Sequence, residues 1–360
     1  MRLSAPFFAV VLVSLLLPSV AVGAAPPPRD FIGVTAEDVY VGSGDYRAAN
    51  LETQASIGIG LIRQTFDWAQ IESAPGRYEL GYQDGFVGAA ASHGITILPV
   101  IFNPPEFRLG ARSGRATCPP ANLASMAAYA QALVRRYGPN GTLWSDRPWL
   151  PRYPIRSWQI WNEPNLGVYW CNRPSARKYV KMLRVVGAAI KQVDPAAKIV
   201  TAGLPPSKLS TAVPLDRYLR QMYRAHAERY FDSLAINSYA KDQHELGLLL
   251  GSIRRLMNRR GDRRGTLWIT ELGWSDTGPP HRFVVGPEGQ AGRIARSLTL
   301  IRKRRRALRL RGLVYFAWRD SAPYPPQFKD LWGLHTGLLD LSGAPKPAFY
   351  SFGKRTKAFR

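Results

Sequence analysis

Short apolar runs alternate with amphipathic stretches along almost the whole chain. Residues 31–34, 59–63, 95–101, 155–161, 198–203, 233–237, 266–270 and 312–318 are nearly continuous in apolar side chains. Strands buried on both faces read this way, as in parallel sheets. Between them, residues 46–56, 84–92, 123–137, 175–193, 215–229, 245–260 and 289–310 read as helices. Eight strands alternating with helices predict a closed parallel sheet, a single-domain (β/α)8 TIM barrel. A doubly wound open sheet is the structural alternative, but no Gly-x-Gly-x-x-Gly turn follows an early strand. No solenoid-type repeat is present. The barrel occupies residues 31–360, with no linker to a second domain.

Loops that follow strand ends in such a barrel gather on one face, where active sites sit. Residues 102–122, 162–174, 275–288 and 319–334 fall there. One predicted strand ends in Asn162-Glu163-Pro164-Asn165, and another in Glu271-Leu272-Gly273-Trp274. Pro164 stops the first. Each exit presents a carboxylate beside aromatic residues, and barrel closure would bring the two across one opening. Two carboxyl groups so placed suit hydrolysis of a glycosidic bond. The competing role for either glutamate alone is capping the next helix. Trp68, Trp161, Tyr169, Trp170, Trp274 and Trp318 also lie at or beyond strand ends. They offer flat apolar faces to sugar rings, with core packing as the alternative. Asp67, Glu72 and Glu106 read as turn and rim residues. The five histidines lack metal-ligand spacing, so no metal or other cofactor is expected. Ser238 and Ser275 lack a Gly-x-Ser-x-Gly elbow.

Charge and the chain start add a setting. The net charge of +24 and a pI near 10.5 favour anionic partners such as acidic glycans or an anionic cell envelope. An arginine-rich solvated surface explains the same numbers, and no nucleic-acid motif is present. Arg302 to Arg306 form a basic run in the last helix, on the outer wall, where a solvated face is expected. Met1-Arg2, an apolar stretch and Val22-Gly23-Ala24-Ala25 read as a signal peptide over residues 1–25, with a Pro-rich leader at 26–30. The protein is therefore expected to be secreted or extracytoplasmic; an uncleaved membrane anchor is the alternative. Cys118 and Cys171 are then expected to form one disulfide tying the third and fourth strand-end loops, rather than remain free thiols. A monomer is expected.

The stretch Ile160-Trp161-Asn162-Glu163-Pro164-Asn165-Leu166 resembles the acid/base motif of clan A glycoside hydrolases, especially glycoside hydrolase family 39. Ile269-Thr270-Glu271-Leu272-Gly273-Trp274 resembles the clan's nucleophile motif. Arg63, Tyr239 and Trp318 match its arginine after the second strand, tyrosine after the sixth and aromatic platform after the eighth. Gly337-Leu338-Leu339-Asp340 with Pro345-Lys346-Pro347-Ala348 resembles its closing segment. Many family 39 β-xylosidases add a β-sandwich domain and oligomerise. This chain is more similar to compact single-barrel relatives that cut exopolysaccharides internally.

The resemblance implies a retaining, double-displacement hydrolase of β-glycosidic bonds in a polysaccharide or oligosaccharide. Glu271 would be the nucleophile and Glu163 the acid/base, about 5–5.5 Å apart. Arg63 and Tyr239 would favour the charged Glu271, while burial and the Glu271 charge would raise the pKa of Glu163. Asn162 would contact the sugar 2-hydroxyl, and Arg63, Tyr239, Trp170, Trp274 and Trp318 would bind substrate. The substrate partner is a carbohydrate, with an acidic glycan suiting the charge. The alternatives are a non-catalytic carbohydrate-binding barrel of the cell envelope, a transglycosylase on the same site, or an anion-binding surface protein.

Overall fold

The computed structural model describes residues 27–110, 117–323 and 329–359. The signal peptide expected over 1–25 lies outside these residues. Eight parallel strands close into a barrel in sequence order. They are β1 (Ile32–Thr35), β2 (Leu61–Asp67), β3 (Thr96–Phe102), β4 (Ser157–Ile160), β5 (Lys198–Thr201), β6 (Ser233–Asn237), β7 (Thr266–Glu271) and β8 (Leu310–Tyr315). Closure is made by β1 against β8, with Ile32, Gly33 and Val34 opposite Leu313, Val314 and Tyr315. The (β/α)8 expectation holds.

The outer helices are α1 (Gly44–Ser56), α2 (Gly81–Ser92), α3 (Leu123–Tyr137), α4 (Ala176–Val193), α5 (Leu215–Arg224), α6 (Gln243–Arg259), α7 (Pro287–Arg304) and α8 (Pro347–Thr356). Their starts are chemically marked. Ser43, Asn122, Ser175 and Asp242 each accept a backbone N–H of the first turn. Pro287 and Pro347 open α7 and α8, where a missing N–H costs nothing. Two boundaries differ most from the sequence reading. The helix expected over 215–229 stops at Arg224, because His226 turns left-handed at φ 57° before a short 3-10 turn. The helix expected to run to 310 ends at Arg304, and Leu310 already belongs to β8. A two-stranded hairpin, Glu72–Ala74 with Arg77–Tyr78, was not anticipated.

Most apolar burial lies between strands and helices, but a second cluster fills the barrel lumen. It comprises Leu61, Leu98, Val200, Ala235, Trp268 and Val314. Gly312 makes room for it: a Cβ there would lie 2.4 Å from the Trp268 ring. Strand side chains alternate with period two, so the residues two positions beyond this layer face the open end. From Leu61, Ala235 and Trp268 that step leads to Arg63, Asn237 and Thr270.

Candidate active site

The plug of apolar side chains ends where a polar layer begins. Arg63 on β2 is its hub. Its Nη1 donates to Glu271 Oε1 at 2.9 Å, its Nε to Gln159 Oε1 at 2.7 Å and its Nη2 to Asn162 Oδ1 at 3.0 Å. Gln159 is held in turn by donating to the Thr201 carbonyl. Tyr239, just past β6, donates its hydroxyl to Glu271 Oε2 at 2.6 Å. The β6–β7 register shifts between Ile236 and Asn237, so Asn237 sits opposite Glu271. This irregularity turns both Thr270 and Glu271 toward the opening, the local re-aiming a bulge produces.

Glu163 arrives differently. The backbone leaves β4 through Trp161 at φ 74° and Glu163 at φ 42°, left-handed values that side chains with a Cβ rarely adopt. Local strain of this kind costs about 1–3 kcal/mol per residue and persists where the surroundings hold it. Here Trp161 is pinned by donating Nε1 to the Tyr169 carbonyl and by an edge contact with Phe102. The result points Glu163 at Asn237, whose Nδ2 donates to Glu163 Oε1 at 2.6 Å. Asn237 is oriented by Thr270 Oγ1, which donates to its Oδ1 at 2.9 Å. Gly203 leaves the space: a Cβ there would lie 2.0 Å from Asn237 Oδ1.

The two carboxyl groups, 9% and 8% exposed as residues, thus have unlike surroundings. Glu271 faces a guanidinium and a phenol. Glu163 faces one amide, and its pKa is pushed up to about 8. Burial is the larger cause and the Glu271 charge the second; the Asn237 hydrogen bond and Arg63 oppose the shift. Burial and the same Glu271 charge hold the Tyr239 hydroxyl well above its ordinary value, so it stays a donor.

The structure brings Arg63, Asn162, Tyr239, Glu163 and Glu271 together at one end of the barrel. The tryptophans do not all join them. Trp170, Trp274 and Trp318 are 4%, 0% and 0% exposed, so protein covers their faces. Trp170 packs edge-on against Trp161 and Tyr179, while Trp274 and Trp318 donate to the Ala240 carbonyl and to Asn50. Burial corrects the expectation of sugar platforms at these three. Trp68 likewise stacks on Tyr129 and donates to Glu72. The aromatic wall of the cleft comes from residues the sequence did not single out. His281 stacks on Trp332 at 5.2 Å, with Phe283 and Tyr239 against the same indole. With Glu163 and Tyr239 these rings line a cleft of about 1010 Å³. Asn237 and Gln159 were also missed; both lie on apolar runs, and their register is the one signal that marks them.

Asp67 and Glu72 serve structure: Asp67 accepts from Asn103 and caps a short helix, and Glu72 pairs with Arg108 at 2.6 Å. Cys118 and Cys171 are disulfide-bonded, joining the loops after β3 and β4. Among the described residues no group of three His, Cys, Asp or Glu could hold a metal ion. No helix there is long and apolar enough to cross a membrane.

The barrel is similar in fold to family 39 glycoside hydrolases. The enzyme of that family from Bacteroides cellulosilyticus WH2 superposes with a TM-score of 0.66 at 21% identity, over 92% of this chain and 64% of that one. A family 39 β-xylosidase from Caulobacter crescentus gives 0.65 at 18%, over 92% and 72%. An exo-β-1,4-mannosidase from Opitutaceae bacterium strain TAV5 gives 0.63 at 17%, over 93% and 59%. The chain thus spans less than two thirds of the first and third of these. No family model matches the chain, and no curated protein matches it in sequence.

Proposed function

We propose that this protein is a glycosidase that cleaves β-glycosidic bonds with retention of configuration. One observation carries the reading: two carboxyl groups at the ends of β4 and β7 are held in opposite electrostatic settings. Glu271, held between Arg63 and Tyr239, is oriented to attack the anomeric carbon. Glu163 keeps a proton near neutral pH and gives it to the departing oxygen as that carbon–oxygen bond breaks. A water then adds to the anomeric carbon, Glu163 takes its proton, and Glu271 leaves as the free carboxylate. Asn162 has its oxygen turned to Arg63, which leaves its Nδ2 to donate to a sugar hydroxyl. Tyr239 and Trp332 supply aromatic surface in the cleft. Export and an electrostatic hold on an anionic envelope fit the leader and the basic surface.

The test is a screen of aryl β-glycosides against wild type, Glu271→Ala and Glu163→Gln. Glu271→Ala should be inactive on every substrate. Glu163→Gln should lose roughly 10²–10⁴-fold on poor leaving groups and much less on dinitrophenyl glycosides, which leave without a proton. Proton NMR of the first-formed sugar should show the β anomer. Full activity in Glu271→Ala, or an α product, would sink the reading. Sugar binding with no cleavage of any glycoside would favour a carbohydrate-binding barrel instead.

A further inference from the structure

We propose that the leaving group of the substrate is an elongated apolar chain, seated in a groove that runs from Glu163 down the outer wall between α5 and α6. The substrate class is then an amphiphilic β-glycoside, one sugar head on an aliphatic tail. This inference rests on the glycosidase reading and deepens it.

The groove meets the reaction site at Glu163 and Tyr239. Glu163 and Tyr239 line its upper end, Leu215 and Leu219 of α5 one wall, and Leu249, Ile253 and Leu256 of α6 the other. It extends to Arg259, the last residue of α6. Glu245 to Arg259 at 1.5 Å per residue makes this path about 20 Å long. Helix α5 ends at Arg224, and β5 and β6 share a single register pair, Val200 with Ser233.

The chemistry of the walls selects the occupant. Below the rings of Tyr239, Phe283 and Trp332 no aromatic side chain lines the groove; leucines, an isoleucine and prolines make its apolar lining, beside the charged Lys208, Asp216, Glu245 and Arg282. A polysaccharide continuing there would carry hydroxyls past leucine and isoleucine, losing hydrogen bonds to water without replacing them. An aliphatic chain loses nothing and gains burial. The groove starts at the residue proposed to protonate the leaving oxygen, so what continues into it is the leaving group. Exposed Arg220, paired with Asp216 at 3.9 Å, and exposed Arg259 border it, and Arg259 at the far end suits a chain that ends in a polar or anionic group.

The experiment uses methyl, octyl and dodecyl β-glycosides of xylose, glucose and mannose below micelle formation, with the full mature chain. Transfer of each methylene from water to an apolar site favours binding by up to roughly fourfold. The kcat/KM of the dodecyl glycoside should exceed that of the methyl glycoside by at least about tenfold, mostly through KM. Two variants test the path: Ser252→Trp, which fills the groove from an exposed position, and Leu249→Asp, which charges its wall. Each should collapse the dodecyl-to-methyl ratio toward one. A ratio near one in wild type, or a ratio unchanged in both variants, would overturn the inference. The fluorescent chain 11-(dansylamino)undecanoic acid provides a readout independent of turnover. It should bind wild type and be weakened in both variants. If no glycoside is cleaved but the probe binds this way, the glycosidase reading fails and the groove stands. If methyl glycosides are cleaved and the probe does not bind, the groove proposal alone fails. A dimer in sedimentation that Ser252→Trp dissociates would assign the groove to a second copy and overturn it.

Discussion

Glu163 holds its proton because burial and a neighbouring charge both oppose ionisation, and that has a stability consequence. Its pKa rises from the ordinary 4.5 to about 8 on folding. Between those values the native state keeps a proton that the unfolded chain has lost, so native stability falls as pH rises across this window. Glu163→Gln removes the titration. The variant should melt above wild type at pH 8, with the gap closing as pH falls toward 4.5. Thermal melts of both proteins across that range check it, and a constant gap would show that Glu163 does not carry the shift. Glu163 and Glu271 were legible beforehand because each ends an apolar run at a strand exit; Arg63, Asn162 and Tyr239 were legible through the resemblance to clan A glycoside hydrolases. Asn237 was not, since an amide ending Ser-Leu-Ala-Ile-Asn looks like any strand terminus. The tryptophans misled for a related reason. A ring at a strand exit can turn to the cleft or under the next loop, and Trp274 turns under, toward the Ala240 carbonyl.

At the scale of elements, the disulfide governs how firmly the cleft wall is built. Cys118 and Cys171 close a loop of 53 residues that contains α3, β4 and Glu163. Removing such a crosslink typically costs about 2–4 kcal/mol, mostly by freeing the unfolded chain. A Cys118→Ser/Cys171→Ser double variant should show a lower urea midpoint and an unfolding free energy lower by that amount, with an altered m-value. Equal midpoints would mean the bond adds nothing to the fold. Strand positions were readable because parallel strands bury both faces and leave continuous apolar runs. Helix ends were less so. The break at His226 requires a left-handed residue where glycine is absent, and nothing in Arg224-Ala225-His226-Ala227 announces it. Likewise the turn after Arg304 lies within an unbroken basic run, which has no Gly or Pro to mark it.

For the whole molecule, part of the +24 charge gathers at one end of the barrel. Arg255, Arg259, Arg260, Arg263 and Arg264 lie at the end of α6 and its loop; Arg302, Lys303, Arg304, Arg306 and Arg309 lie at the end of α7 and its loop. All are exposed. Arg309 donates to the Arg264 carbonyl, so the two sets are neighbours at the end of the barrel opposite the cleft. The one acid between them, Asp262, is taken by Gly265 N and the Tyr223 hydroxyl. Cations at helix C-termini gain from the helix dipole, but only within the last turn. The remaining charges repel across a surface where water and salt are the only screen. Raising sodium chloride from low ionic strength to about 0.5 M shortens the screening length below the spacing between loops and should raise the melting temperature. Replacing Arg263 and Arg306 by glutamate, both outside the helices, should stabilise the protein at low salt and flatten that response. Differential scanning fluorimetry of both proteins over a salt series decides it. A wild-type melting temperature that falls with salt would mean that favourable ion pairs elsewhere outweigh this repulsion.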